Sequence, residues 1–212
     1  MILVTGGAGF IGSNLVAGLE AVGGRIAVSD WLGSGDKWRN LAKRALEDII
    51  RPDELPQFLA RHKNDLDVIF HMGAISSTTE SDGDAVIANN FRLSKDLWLW
   101  CAEHGKRLIY ASSAATYGDG SADFDDDGNS EHLARLHPLN LYGWSKHLFD
   151  RWVAAQRDAR QKPKQCAGLK FFNVYGPNEY HKEAMRSVVH QIFPAAQKGE
   201  SFPLFKSHRP DY

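Results

Sequence analysis

Short apolar runs alternate along the chain with longer stretches whose apolar residues recur at helical spacing. Ile2–Thr5 and residues 25–29, 68–71, 107–111 and 168–173 read as strands, while helical patterns begin at Phe10 and cover residues 52–61, 84–103 and 140–157. The strand runs are apolar on both faces, so each has to be covered from both sides. Strands that alternate with helices in this way predict an α/β fold, a doubly wound parallel sheet with helices on both faces. Right-handed crossovers then set the strand C-termini along one edge, where ligands bind at the switch in strand order.

The first candidate chemistry lies on that edge. The run TGGAGFIG at residues 5–12 follows the first strand and opens a helix, with Gly6, Gly9 and Gly12 at every third position. Glycines permit a tight turn and close approach of the backbone to a pyrophosphate, whose charge meets the free N–H groups and positive end of the helix. With a strand before it, a helix after it and Asp30 closing the second strand, the run implies a dinucleotide site. Asp30 can accept from a ribose 2'-hydroxyl and so favours NAD, yet Lys37 and Arg39 follow closely and can bind a 2'-phosphate. The pattern alone leaves NAD and NADP open.

Composition changes the picture mainly by exclusion. The 212 residues are 43% hydrophobic, enough for a full core, in one domain or one domain with part of another. The 25 basic and 26 acidic residues are well mixed, which implies neither a nucleic-acid nor a membrane-surface partner. Two cysteines, Cys101 and Cys166, each sit in an apolar stretch, as expected of buried thiols in a reducing compartment. With no leader-like segment in MILVTGG and no apolar run of membrane-spanning length, the expected location is the cytoplasm. Asp123, Asp125, Asp126 and Asp127 lack the spacing of a metal loop, and no histidine pair has ligand spacing, so no metal is expected. His71, Trp98 and Trp100 read as packing residues.

Reaction chemistry enters with PLNLYGWSK at residues 138–146. Tyr142 and Lys146 share one helix face, so the ammonium can sit beside the phenol and favour its phenolate, as proton-coupled hydride chemistry requires. YASSAATYG at residues 110–118 leaves a strand end and puts Ser112 and Ser113 in the loop above the cofactor edge, able to bond a substrate oxygen. A glycine cradle, a strand-end serine and a downstream Tyr-x-x-x-Lys together resemble the extended short-chain dehydrogenase/reductase superfamily. Within it, HMGAISSTTE at 71–80, YASSAATYG, PLNLYGWSK and FFNVYGPNEYHK at 171–182 resemble the ADP-L-glycero-D-manno-heptose 6-epimerase family, over nearly the whole chain.

That resemblance implies a Rossmann-type sheet over residues 1–175, and the start of a substrate-binding domain over residues 176–212, truncated because members of the family run longer. It implies NADP rather than NAD, with Lys37 on the 2'-phosphate. Phe10, Ile11, Asp30, Trp31, Met72, Gly73, Ala74, Ile75, Ser76, Asn89, Lys146 and Val174 are the further contacts implied for NADP. Tyr142 would be one acid/base group and Lys182 the second, with Ser113 assisting proton transfer. Asn173 and Phe205 would touch the nucleotide sugar, ADP-heptose, and the family's habit implies a homo-oligomer. Trp31, Pro52, Met72, Ala184 and Gln191 depart from the residues usual at those positions. The implied reaction inverts C6 of the heptose through a ketone, for supply of lipopolysaccharide core heptose. The hydroxyl lies differently in the two epimers, which is why two acid/base groups are expected.

Two other readings compete. A 4,6-dehydratase needs an acidic pair after the catalytic hydroxyl, where Ala114 and Ala115 stand, so elimination is disfavoured. A UDP-hexose 4-epimerase would share the glycines, serine, tyrosine and lysine. A non-catalytic NADP-binding module is the reading from another class.

Overall fold

The computed structural model describes residues 1–156 and 159–203. Six strands, β1 (Ile2–Thr5), β2 (Ile26–Ser29), β3 (Asp48–Ile50), β4 (Val68–His71), β5 (Arg107–Ser113) and β6 (Gln165–Phe171), form one sheet in the order β3-β2-β1-β4-β5-β6. Every pairing is parallel. The register sets Thr5, at the end of β1, between Ser29 and His71. The chain runs outward from β1 through β2 to β3, then returns to add β4, β5 and β6 on the other side. Strand order therefore switches between β1 and β4, and the crevice beyond their C-termini is the place for a ligand.

Helices cover both faces. Leu3, Ala27, Ile69 and Leu108 lie on one face and pack with Phe58 of α2 (Leu55–His62), Leu97 and Trp98 of α4 (Leu93–Glu103) and Phe149 of α6 (Leu141–Ala155). On the other face Val4, Ile26 and Val28 pack with Val16 of α1 (Phe10–Ala21). Trp98 and Trp152 meet edge to face inside the larger cluster, the packing role expected of Trp98.

Several elements differ from the pattern-based expectation. β3 has only three residues, of which Ile50 alone is buried, too little apolar signal to mark a strand. β6 starts at Gln165, ahead of its apolar run, because Lys164 N–H bonds the Lys106 carbonyl and sets the register. As the last strand of the sheet β6 is largely exposed, and Cys166 is exposed with it, whereas Cys101 is buried as expected. The helical pattern at 84–103 resolves into α3 (Gly83–Val86), a π-helical stretch at Ile87–Arg92, and α4. Short α5 (Ser130–Ala134) and the longer α7 (Val188–Gln197) complete the described helices. None of them is long and apolar enough to cross a membrane.

Candidate active site

The glycine cradle is shaped by contacts that leave no room for side chains. Gly6 has φ +65°, and a Cβ there would lie 2.5 Å from the Gly73 Cα; a Cβ on Gly12 would lie 2.1 Å from the Gly6 carbonyl oxygen. The turn therefore folds flat against the start of α1 and the loop after β4. Gly9 is the N-cap of α1, no side chain caps it, and no acidic residue occupies the first turn. The orphan N–H groups of that turn face the cleft with the positive end of the helix behind them, which is what a pyrophosphate needs. The residues present thus fit a dinucleotide.

At the adenosine end, Asp30 is buried and both its oxygens are engaged. Ala8 N–H donates to Oδ2 at 2.9 Å and Lys37 Nζ donates to Oδ1 at 2.5 Å, while Lys37 also donates to the Trp31 carbonyl at 3.0 Å. Trp31 itself is half exposed beneath the guanidinium of Arg51, 5.0 Å from its ring centroid.

The catalytic candidates meet where α6 docks on the end of β5. Asn140 caps α6 by accepting from Gly143 N–H at 2.8 Å. A Cβ on Gly143 would lie 2.6 Å from the Ala115 carbonyl oxygen, so the helix enters in close contact with the turn after Ser113. The Ser113 oxygen accepts from Ala115 N–H at 3.1 Å, and its side chain lines the same cleft as the Tyr142 phenol. Burial raises the phenol above its ordinary value, and the nearby Ser113 hydroxyl pulls the other way. Lys146 is buried at 3% exposure, which lowers its ammonium to about 8, against an opposing pull from the Asp150 charge. Lys146 is thus largely charged at neutral pH.

Residues 176–187 cross over the cradle. Asn14 Nδ2 donates to the Pro177 carbonyl at 2.9 Å, Asn178 Nδ2 donates to Ser13 Oγ at 3.0 Å, and Asn40 Nδ2 lies 3.3 Å from His181 Nδ1. Glu179 is buried; burial pushes its carboxyl up, but N–H groups of Ser187 and Gly176 and the Ser187 hydroxyl hold it below its ordinary value. This arrangement sets the Lys182 ammonium 5.6 Å from the Phe10 ring centroid.

One cleft of about 770 Å³ collects most of these residues. It is lined by Gly6, Gly9, Phe10, Ile11, Gly12, Asp30, Lys37, Met72, Gly73, Ala74, Ser76, Ser113, Tyr142, Lys146, Asn173, Val174 and Lys182. Trp31, Ile75 and Asn89 do not line it: the Asn89 amide donates to the Ala85 carbonyl and Ile75 is held through its backbone by Asn90. Phe205 lies outside the described residues. His181, in the run FFNVYGPNEYHK, lines the cleft together with Lys182, and Glu179 of the same run lines it as well although its sequence context did not single it out. Among the described residues no group of three or more His, Cys, Asp or Glu side chains could hold a metal ion.

A family model described as the NAD dependent epimerase/dehydratase family matches residues 2–212. The chain belongs to that family. The family's description makes a nicotinamide dinucleotide the cofactor class, without distinguishing NAD from NADP. The ADP-L-glycero-D-manno-heptose-6-epimerase of Fusobacterium nucleatum is 46% identical over 215 residues, spanning 100% of this chain and 64% of that protein. A protein of the same name from Nitratidesulfovibrio vulgaris is 47% identical, over 100% of this chain and 65% of its own length. The chain thus spans just under two thirds of these relatives. The crystal structure of the Helicobacter pylori ADP-L-glycero-D-manno-heptose-6-epimerase superposes with a TM-score of 0.75 at 31% identity, covering 92% of this chain and 62% of that one.

Proposed function

We propose that the protein acts as a nucleotide-sugar 6-epimerase that interconverts ADP-D-glycero- and ADP-L-glycero-D-manno-heptose, for lipopolysaccharide core supply. The observation that carries the reading is the meeting of Ser113, Tyr142 and Lys146 with the dinucleotide cradle in one cleft. Relatives at 46% and 47% identity over the whole of this chain bear that enzyme's name.

A bound nicotinamide supplies a reversible store for the hydrogen of the carbinol carbon. The chain supplies the proton handling. The Tyr142 phenol, raised by burial, stands protonated at neutral pH and is ready to give its proton to a carbonyl oxygen. Giving it leaves a phenolate, which the Ser113 side chain favours, and in the reverse sense that phenolate takes the proton of the substrate hydroxyl. Lys146, four residues on, adds positive charge on the same helix face. Lys182 enters the cleft from the opposite segment, beside Phe10, and serves the epimer whose hydroxyl points away from Tyr142. Asn173, in the lining of the same cleft, holds the sugar nucleotide.

The cofactor in this reading is NADP. The Asp30 carboxylate is already bonded by Ala8 N–H and charge-paired with Lys37, so its negative charge is offset where a 2'-phosphate would approach. The same ion pair fixes an ammonium at the rim, where a 2'-phosphate gains a charge-assisted contact.

The deciding experiment follows C6 configuration by NMR after adding ADP-D-glycero-D-manno-heptose to the full-length protein. Conversion lost in both Tyr142→Phe and Lys182→Met supports the two-base scheme. Variants that each stay within about tenfold of the parent, a barrier change of only ~1.4 kcal/mol, overturn it.

A further inference from the structure

Asp150 continues the helix face that begins with Tyr142 and Lys146, one turn further along α6. It is buried, and its carboxylate collects three donors: Tyr110 Oη at 3.0 Å, Ser112 Oγ at 2.6 Å and Lys170 Nζ at 2.9 Å. Lys170 also donates to Thr116 Oγ1 at 2.7 Å, and Thr116 in turn donates to the Ser113 carbonyl at 2.8 Å. One carboxylate on α6 therefore grips β5 at residues 110 and 112, β6 at residue 170 and, through Lys170, the turn that follows Ser113. None of the proposed proton transfers uses Asp150, Ser112 or Lys170.

A buried ion pair is a poor way to hold a helix on a sheet, because apolar side chains of similar volume do so as well or better. What an apolar residue cannot supply is a fixed donor pattern and a negative charge beside Lys146.

We propose that Asp150 is a positioning residue for proton transfer: it locks the catalytic helix to the strand end that carries Ser113 and sets a negative charge one turn from Lys146. The inference rests on the roles given to Tyr142 and Lys146 above. Its charge opposes the fall that burial imposes on the Lys146 ammonium. His71 of β4 also faces Lys146, and Tyr110, His147, Cys166 and Lys170 surround Asp150. Burial lowers both histidines and raises Tyr110, and the Cys166 thiol is raised to about 11, so those four are uncharged at neutral pH. Lys170 is left as the cation that competes with Lys146 for the Asp150 carboxylate.

The competition makes two opposite predictions from two near-isosteric changes. In full-length protein, Asp150→Asn keeps a hydrogen-bonding group but loses the charge, and the alkaline limb of kcat moves down by about one pH unit. Lys170→Gln removes the competitor, and the limb moves up. The Lys146 ε-carbon resonance, assigned by its loss in Lys146→Met, titrates in the same two directions without turnover. Rate loss in both variants with an unmoved limb and unmoved resonance would mean a purely structural role and would overturn the proposal. Should Asp150→Asn fail to fold, Lys170→Gln decides alone: an upward shift supports the proposal and no shift overturns it. Tyr142→Phe separates this inference from the one beneath it. Full kcat in that variant refutes the reading of the site itself, whereas an inactive Tyr142→Phe beside unmoved limbs refutes only the role of Asp150.

Discussion

Gly143 offers a sharp test of how α6 is placed. An alanine Cβ there would lie 2.6 Å from the Ala115 carbonyl oxygen, 3.1 Å from its carbonyl carbon and 3.2 Å from its Cβ. All three atoms belong to the turn after Ser113, and the first two are backbone, so the conflict cannot be relieved by rotating a side chain. The helix and the turn have to separate by roughly half an ångström merely to escape outright overlap. Two effects on stability oppose each other. Replacing glycine by alanine inside a helix is worth about 1 kcal/mol, while overpacking costs about 1–3 kcal/mol. The net change therefore runs from near zero to about 2 kcal/mol of destabilisation, a fall in Tm of at most about 8 °C for a chain of this size. The effect on catalysis is larger, because a displacement of ~1 Å in a reacting group costs about a hundredfold. Half of that, applied between Ser113 and Tyr142, predicts a fall in kcat of about tenfold or more with cofactor affinity nearly unchanged. Steady-state kinetics and cofactor titration on Gly143→Ala, beside a thermal melt, make the comparison. A variant with a raised Tm and kcat within about threefold of the parent would show that the turn yields freely, and that this contact does not set the geometry.

Gly12→Ala should abolish dinucleotide binding, since its Cβ would fall 2.1 Å from the Gly6 carbonyl oxygen in the floor of the cradle. Fluorescence titration showing NADP affinity within about tenfold of the parent would contradict that geometry. Lys37→Met should weaken NADP by at least about tenfold while leaving NAD unchanged, because only the former brings a phosphate to the rim. Equal losses for the two cofactors would count against the NADP assignment. His71 is lowered to about 3, chiefly by burial with a smaller push from Lys146. The unfolded chain then binds a proton near its ordinary value of 6.5 that the folded chain refuses, so stability is intact above that pH and falls as the pH drops towards 3. By pH 5 the loss is about 2 kcal/mol, measurable by urea unfolding. A His71→Gln variant with the same slope between pH 7 and 5 would refute the assignment.

What could be read from the sequence is what backbone proximity and apolar period dictate. The glycines of TGGAGFIG announced the cradle because close backbone approach tolerates no other residue at positions 6 and 12. Four strands and the face that pairs Tyr142 with Lys146 were legible for the same kind of reason, since period and spacing alone determine them. Contacts between segments far apart in the chain were not legible. Asp150 reads in sequence as an ordinary charged helix residue, and only the fold brings Ser112, Tyr110 and Lys170 to it. Asn90 likewise sits inside an amphipathic pattern. The π-helical stretch redirects it so that its amide bonds both the N–H and the carbonyl of Ile75 and donates to Ser145 Oγ. Cys166 was misjudged because an apolar neighbourhood says nothing about whether a strand lies at the centre or the edge of its sheet.

The buried polar residues that violate the apolar pattern are not scattered; they connect the two halves of the site. Gly73 N–H donates to Thr5 Oγ1 at 3.2 Å, and Thr5 lies 2.7 Å from His71 Nδ1. His71 Nε2 lies 2.9 Å from Ser94 Oγ, which donates to the Asn90 carbonyl at 2.7 Å. Because the single Ser94 proton is spent on Asn90, the ring must donate from Nε2, which leaves Nδ1 to accept from the Thr5 hydroxyl. Asn90 carries the run onward to Ser145 Oγ at 2.9 Å, and Ser145 donates to the Tyr142 carbonyl at 2.7 Å. The strand that opens the cradle and the helix that carries the phenol are therefore held by one series of bonds with a single donor direction at each step. Protonating His71 would put a second N–H against Thr5, whose oxygen already accepts from Gly73, and would break the series at the cofactor end. Acid should consequently disturb the placement of the cradle against α6 as well as the stability of the sheet, since the same ring serves both.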